Sequence, residues 1–330
     1  MMREFHSVLI TANFPEEYYE RLRALFAPAV VSFCRRDDDD AIRAALKDAD
    51  AAVLGSDVDD RILTGQNLKW IHCDHSGLTL SARPEVFERG IAVTGAAGRS
   101  APTLAEHAIF FMLSLTYDVY GLHDLQRKHQ WGGLPGYNDR RGLIGKTVGI
   151  VGLGHAGNEL ARRCKALGMR VLAYRRSDVP SENVDVLYAA SRGDTIDPIL
   201  HESDFVVLMI GLNDETYHLI GREQLHKMKP SAYLINMCRG SVIDEEALVD
   251  ALEQGVIAGA GLDTLEQEPP PADLRIWDAP NVMITPHNTP TVPDRWERSF
   301  RIVEENARRY RAEEPLINQI TIQDLYTKRK

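Results

Sequence analysis

The chain is short of several things, and each shortage removes a class of protein. Cysteine is scarce: Cys34, Cys73, Cys164 and Cys238 are the only four in 330 residues, widely scattered and with no C-x-x-C pair. That pattern fits neither a disulfide framework nor a zinc ribbon, so the thiols are read as reduced and the expected compartment is the cytoplasm. Long apolar runs are missing as well. The longest stretch, from Phe205 through Leu212, has about eight residues, far below the ~20 that span a bilayer. The opening Met1-Met2-Arg3-Glu4-Phe5-His6 lacks the basic-then-apolar order of a secretory signal. Positive charge is in deficit, with 38 Lys and Arg against 48 Asp and Glu and a net charge of −10. An acidic surface repels phosphate backbones and anionic lipids, so neither nucleic acid nor membrane is an expected partner. No fixed-period repeat and no low-complexity tract occurs.

What remains is an ordinary globular composition, 44% apolar and 26% charged, which excludes a disordered or collagen-like chain. At ~150 residues per domain the length predicts two domains. The first hundred residues alternate strand-length apolar runs (7–11, 29–33, 51–54, 68–72, 91–94) with helical segments at 16–26 and 38–47. The acidic run Asp37–Asp40 is read as a helix start, where carboxylates face the positive dipole end. Pro102 and a capping-box pattern, Thr103 to Glu106, open a long helix expected from Leu104 to about Lys128. The breaker-rich Trp131–Gly136 is where the chain is expected to pass between domains. Alternation restarts at Lys146, with strands expected at 147–151, 170–174, 205–210, 233–236, 257–262 and 282–285, and a last helix at 293–310. Strands alternating with helices specify an α/β class with parallel sheets.

The sharpest local motif is Gly152-Leu153-Gly154-His155-Ala156-Gly157, placed between an apolar strand and a helix as a dinucleotide-binding turn requires. Gly152 permits the tight turn, Gly154 lets the backbone approach a pyrophosphate, and Gly157 lets helix and strand pack closely. The following strand ends in Arg175-Arg176-Ser177, with no acid before Asp178. A carboxylate there would accept the ribose hydroxyls of NAD, whereas guanidinium groups bind a 2′-phosphate with forked hydrogen bonds. The expected cofactor is therefore NADP(H) in preference to NAD(H).

Ligands of open parallel sheets bind beyond the carboxyl ends of the strands, and three unusual side chains fall there: Arg239, Glu268 and His287. Each alone could be a surface charge or a turn residue. A cation, a carboxylate and an imidazole at the edge of a dinucleotide fold together form a credible reaction site. His72-Cys73-Asp74-His75 invites a metal reading, but strand neighbours point to opposite faces and no distant cluster completes a site, so no metal is expected. His107 is read as structural.

With these residues in view, the segment from Leu143 to Thr291 resembles the D-isomer-specific 2-hydroxyacid dehydrogenases. It carries Leu143–Ile150 leading into the glycine loop, then Asn236–Leu248, Gly261-Leu262-Asp263 with Glu268-Pro269, and Thr285-Pro286-His287, in the family's order and spacing. Weaker likeness extends upstream to Ser76-Gly77 and Ala105-Glu106-His107. The resemblance implies reduction of a 2-keto acid to a D-2-hydroxy acid, and the reverse. His287 is then the general acid, Glu268 its partner, and Arg239 the group that holds the substrate. It implies that backbone N–H groups at Ser76 and Gly77 take the substrate carboxylate. His155, Ala156 and the backbone of Cys238 are implied to touch the cofactor, and Asp263 its nicotinamide end. It implies a flavodoxin-like substrate domain, residues 1–104 with 291–330 returning to it, and a Rossmann dinucleotide domain, 105–290, inserted between. Hinges near 105 and 290 and a homodimer packed through the cofactor domain complete the expectation.

Two features depart from the family pattern. Met209-Ile210-Gly211-Leu212 stands where a His-x-Pro is common, and Asn288-Thr289-Pro290-Thr291 replaces a small, glycine-rich run. Both leave the identity of the keto acid open. A second reading is a corepressor like the C-terminal-binding proteins, which resemble this family and act by binding protein partners. A formate dehydrogenase is disfavoured, since Glu268 stands where that relative carries a glutamine.

Overall fold

Parallel pairing dominates the computed structural model, which describes residues 3–134, 136–140 and 142–328. The chain divides into two compact units: one from the residues up to Ser100 together with those from Val292 on, the other Ala101–Thr291.

The first unit holds five strands, β1 (Ser7–Ile10), β2 (Val30–Phe33), β3 (Ala51–Leu54), β4 (Trp70–Cys73) and β5 (Ala92–Gly95), in the order β2-β1-β3-β4-β5. That is the flavodoxin-like order. Helices α1 (Tyr19–Phe26), α2 (Asp39–Ala45) and α3 (Pro84–Glu88) connect them. The acidic run behaves as read: the Asp38 carboxylate accepts from the Ala41 N–H at 3.0 Å and caps α2. β1 and β3 are buried throughout, and their alternate side chains feed separate clusters, Leu9 and Leu54 in one, Val8 and Val53 in the other. The sheet is therefore covered on both faces, as a parallel sheet must be. The returning chain completes the unit. Helix Arg295–Arg311 buries Phe300, Val303 and Tyr310 beside Phe5 and Trp70, and Asn318 donates its side-chain amide to the Gly95 and Ala97 carbonyls.

The second unit opens with α4 (Ala101–Tyr117) and α5 (Val119–Arg127). One helix from 104 to 128 was expected; two are present. Asp118 takes a left-handed φ of 51° between them and caps α5 through the Gly121 N–H, while Arg140 donates to the Thr116 carbonyl and closes the end of α4. Pro102 lies within the first turn of α4, so Thr103 is inside the helix and is not its cap. Trp131–Gly136 is not the passage between domains. It falls inside the second unit, because Ala105, Ala108, Phe111 and Met112 of α4 pack into that unit's core with Leu160, Ala161 and Ile235; Pro135 lies outside the described residues.

Seven parallel strands follow: β6 (Thr147–Val151), β7 (Arg170–Arg175), β8 (Val186–Ala189), β9 (Phe205–Leu208), β10 (Tyr233–Asn236), β11 (Gly259–Leu262) and β12 (Val282–Ile284). Their order is β12-β11-β10-β9-β6-β7-β8. This is a doubly wound dinucleotide fold with one added strand, and its order reverses between β6 and β9. Helices α6 (His155–Ala166), α7 (Asp197–Glu202), α8 (Arg222–Lys227) and α9 (Glu245–Glu253) make the crossovers. β8 has no counterpart in the sequence reading, although Val186-Leu187-Tyr188-Ala189 is an apolar run; it is a half-buried edge strand. β11 is two residues shorter than expected, beginning at Gly259. A Cβ on its Gly261 would lie 2.7 Å from the Phe111 ring of α4, so glycine there lets helix and sheet close on each other. Among the described residues, no helix is long and apolar enough to cross a membrane.

Candidate active site

The second unit's sheet sets the site, because β10, β11 and β12 are neighbours and their carboxyl ends release three loops side by side. The first carries Arg239. Asn236, the last residue of β10, braces it by accepting from the Cys238 N–H at 3.0 Å and donating to the Arg239 carbonyl at 3.1 Å. The second loop carries Asp263 and Glu268. It is pressed against the first: a Cβ on Gly240 would lie 1.9 Å from the Leu265 carbonyl carbon, so only glycine lets the two loops approach. The third carries His287, at a left-handed φ of 49°, with its N–H bonded to the Asp263 and Thr285 carbonyls, each at 2.9 Å.

His287 Nδ1 sits 2.7 Å from Glu268 Oε2, and Glu268 Oε1 accepts from the Leu265 N–H at 3.0 Å. The hydrogen bond to Glu268 lifts the His287 pKa above its ordinary value, against the opposing pull of burial and of the Arg239 charge. Burial works to raise the Glu268 carboxyl, but the His287 and Leu265 hydrogen bonds outweigh it and hold the carboxyl below its usual range. The Arg239 charge acts on both members of the pair, and one of its terminal nitrogens donates to the Cys238 carbonyl at 2.8 Å. A half-exposed imidazole, a paired carboxylate and a guanidinium thus share one sheet edge, an arrangement suited to moving a proton beside an anion.

Asp263 is buried and accepts from Thr285 Oγ1 at 2.6 Å, the Asn288 N–H at 3.1 Å and Thr289 Oγ1 at 3.3 Å. Cys238 is buried, and burial pushes its thiol up to about 11. Ser76 and Gly77 belong to the first unit, in the loop after β4. Of their neighbours, His72 and Cys73 are buried within β4, and Asp74 pairs with Arg99 at 2.9 Å. Among the described residues, no three His, Cys, Asp or Glu side chains gather closely enough to hold a metal.

The glycine loop follows β6. Gly152 has φ +106°, and a Cβ on it would lie 2.4 Å from the Met209 carbonyl oxygen; one on Gly157 would lie 2.3 Å from the Gly152 oxygen. Both glycines are demanded by the protein's own packing. Gly154 differs: a Cβ there meets nothing within 4 Å. It opens onto free space at the start of α6, whose first turn has no side-chain cap and whose N–H groups suit a pyrophosphate. His155 is exposed and Ala156 half-buried at that start. At the end of β7, Arg175 donates to the Val179 carbonyl at 3.1 Å, Arg176 is exposed, and Asp178 is paired with Arg192 at 2.7 Å. These residues fit a dinucleotide.

Asn236, Thr285, Thr289 and His107 were not singled out for this site from sequence. Thr285 and Asn236 stand inside recognisable motifs; His107 was read as structural, and its tie to the site was hidden because its partners lie 178 and 182 residues away.

A doubly wound parallel sheet with a glycine loop and a histidine–carboxylate pair at its edge suits an oxidoreductase, and comparison with known proteins gives its kind. The model of the D-isomer specific 2-hydroxyacid dehydrogenase NAD binding domain matches residues 109–289. The glyoxylate reductase of Korarchaeum cryptofilum is 39% identical over 231 residues, covering 67% of each chain. The hydroxypyruvate reductase of Thermotoga maritima is 36% identical over 236 residues, covering 69% of this chain and 72% of its own. Among solved structures, a D-isomer specific 2-hydroxyacid dehydrogenase from Xanthobacter autotrophicus Py2, in complex with NADPH and MES, superposes with a TM-score of 0.80 at 26% identity over 96% of this chain and 98% of that one. The chain belongs to the D-isomer specific 2-hydroxyacid dehydrogenase family. It is an enzyme of that family, dependent on a nicotinamide dinucleotide.

Proposed function

We propose that the enzyme reduces a small 2-keto acid of the glyoxylate or hydroxypyruvate type to the D-2-hydroxy acid, with NADPH in preference to NADH. The observation that carries this reading is the His287–Glu268 pair, 2.7 Å apart, beside Arg239. When bound, the reduced nicotinamide supplies the hydrogen and the electron pair that the keto carbon accepts. Arg239 holds the substrate by its carboxylate and keto oxygen, fixing the carbonyl for attack. His287 gives a proton to the keto oxygen from Nε2, because Nδ1 is committed to Glu268. Glu268 fixes the ring and favours its charged form before transfer. In the oxidative direction the same imidazole takes the proton back. The N–H groups of Ser76 and Gly77, in the first unit, are assigned to the substrate carboxylate.

The N–H groups at His155 and Ala156 are assigned to the pyrophosphate, with Gly152, Gly154 and Gly157 shaping the loop. The Cys238 backbone lies along the cofactor and Asp263 takes its nicotinamide end. Arg175 and Arg176 are assigned to the 2′-phosphate; the Arg192 pair on Asp178 offsets the charge of the first acid after β7. The protein is further proposed to form a homodimer through the cofactor-binding unit, supported by the exposed Phe110, Leu113, Tyr117 and Tyr120 along α4 and α5.

The test is steady-state oxidation of NADPH and NADH against a panel of 2-keto acids. Turnover on a small keto acid, faster with NADPH, is the expected result. Tight cofactor binding with no turnover on any keto acid would move the weight to a partner-binding protein of the same fold.

A further inference from the structure

His107 of α4 is buried, and its ring stacks on Phe111 with centroids 4.8 Å apart. Its two nitrogens reach the residues on either side of His287: Nδ1 lies 2.8 Å from Thr289 Oγ1 and Nε2 lies 3.2 Å from Thr285 Oγ1. Both threonine hydroxyls also reach Asp263, at 2.6 Å from Thr285 and 3.3 Å from Thr289. Counting protons orders this network. A carboxylate only accepts, and each hydroxyl has one proton to give. Thr285 spends its proton on Asp263 across the shorter distance, so it must accept from His107 Nε2. That nitrogen therefore carries the hydrogen. Nδ1 is left as an acceptor and takes the Thr289 proton, at a shorter distance than Asp263 offers. All of these partners sit on the loops after β11 and β12, where they add side-chain bonds to the main-chain bonds from the His287 N–H to the Asp263 and Thr285 carbonyls.

We propose that His107 is a positioning residue for the reaction: as a neutral Nε2–H imidazole it ties Thr289 to Thr285, and through Thr285 to Asp263, and thereby holds the His287 ring against Glu268. The turn it braces has a residue with left-handed φ at its centre, a conformation a non-glycine residue keeps only when its surroundings enforce it. Burial supports the assignment, since it lowers the His107 pKa against the opposing charge of Asp263. The inference rests on the assignment of His287 as the proton donor.

The test is His107→Phe, which keeps the stacked ring and removes both hydrogen bonds, beside His107→Gln, whose amide restores a donor and an acceptor. In His107→Phe, kcat is expected to fall roughly 10- to 100-fold with the keto acid KM changed less than about threefold. The alkaline limb of the rate profile should move to lower pH, because a loosened turn weakens the Glu268 bond that raises His287. The charged groups that also face His287 are Arg239 and Asp263, and neither is altered. His107→Gln should recover most of the rate and the limb. A folded His107→Phe with wild-type kcat and limb, beside an inactive His287→Ala, would overturn this inference alone. Full turnover in His287→Ala would overturn the acid assignment and this inference with it. Nitrogen-15 NMR of the wild type is the check that needs no variant to fold: a single Nε2–H tautomer from about pH 6 to about pH 9 is expected, and an Nδ1–H tautomer would overturn the assignment.

Discussion

Glu268 Oε2 lies 2.7 Å from His287 Nδ1, and this one contact sets both the charge and the facing of the imidazole. Reduction consumes a proton, so on the proposed mechanism His287 is charged when substrate arrives. A ring lifted above its ordinary pKa stays charged further into the alkaline range. The alkaline limb of kcat/KM for keto acid reduction should therefore fall above the ordinary histidine value of ~6.5. Glu268→Gln keeps the shape and removes the charge. Its limb should move to lower pH, with a loss of about 10- to 100-fold at neutral pH. The pH–rate profiles of the two proteins check this. For oxidation the sign reverses, since neutral His287 is then the active form and the rate should rise through the same pKa.

The glycine loop separates packing from binding. Gly152→Ala puts a Cβ 2.4 Å from the Met209 carbonyl at a φ of +106°, and should lower stability by about 1–3 kcal/mol. Gly154→Ala meets no protein atom within 4 Å, so its melting temperature should be unchanged while cofactor affinity falls. Thermal melts with and without NADPH distinguish the two: ligand stabilisation should shrink in Gly154→Ala, whose unliganded melt stays at the wild-type temperature.

On the proposed reading, cofactor choice turns on the end of β7. Replacing Arg175 and Arg176 together by Ser should weaken NADPH by roughly 10- to 100-fold, as expected for the loss of charge-assisted hydrogen bonds worth ~1.5–3 kcal/mol. NADH affinity should change little, because it lacks the phosphate. Fluorescence titration of both dinucleotides gives the ratio. Tighter NADH than NADPH binding by the wild type would count against the arginine assignment.

Much of this architecture was legible because its signals are local. The strand–glycine–helix run at 147–166 and the apolar runs that became β1 to β7 announce themselves within a few residues. Arg239, Glu268 and His287 could be singled out because each follows a recognisable strand. What stayed hidden depends on partners distant in the chain. The break at Asp118 has only a small local mark, the Asp118 cap on the Gly121 N–H, and is closed by the Arg140 side chain on the Thr116 carbonyl, from outside residues 104–128. Trp131–Gly136 has the composition of an interdomain linker, yet α4 had already packed into the second unit's core. His107 stands in a segment that resembles the family only weakly and was read as structural; its place appears only when the loops after β11 and β12 bring Thr285 and Thr289 to its two nitrogens.

The central claim is that His287 donates the proton in keto acid reduction. Its most direct test is the rate of NADPH oxidation with glyoxylate by the wild type and by His287→Ala, with NADPH affinity measured separately in each. The account predicts a rate lower by ~10²- to 10⁴-fold, the range for a lost general acid, with cofactor affinity unchanged. Equal rates in the two proteins would contradict it.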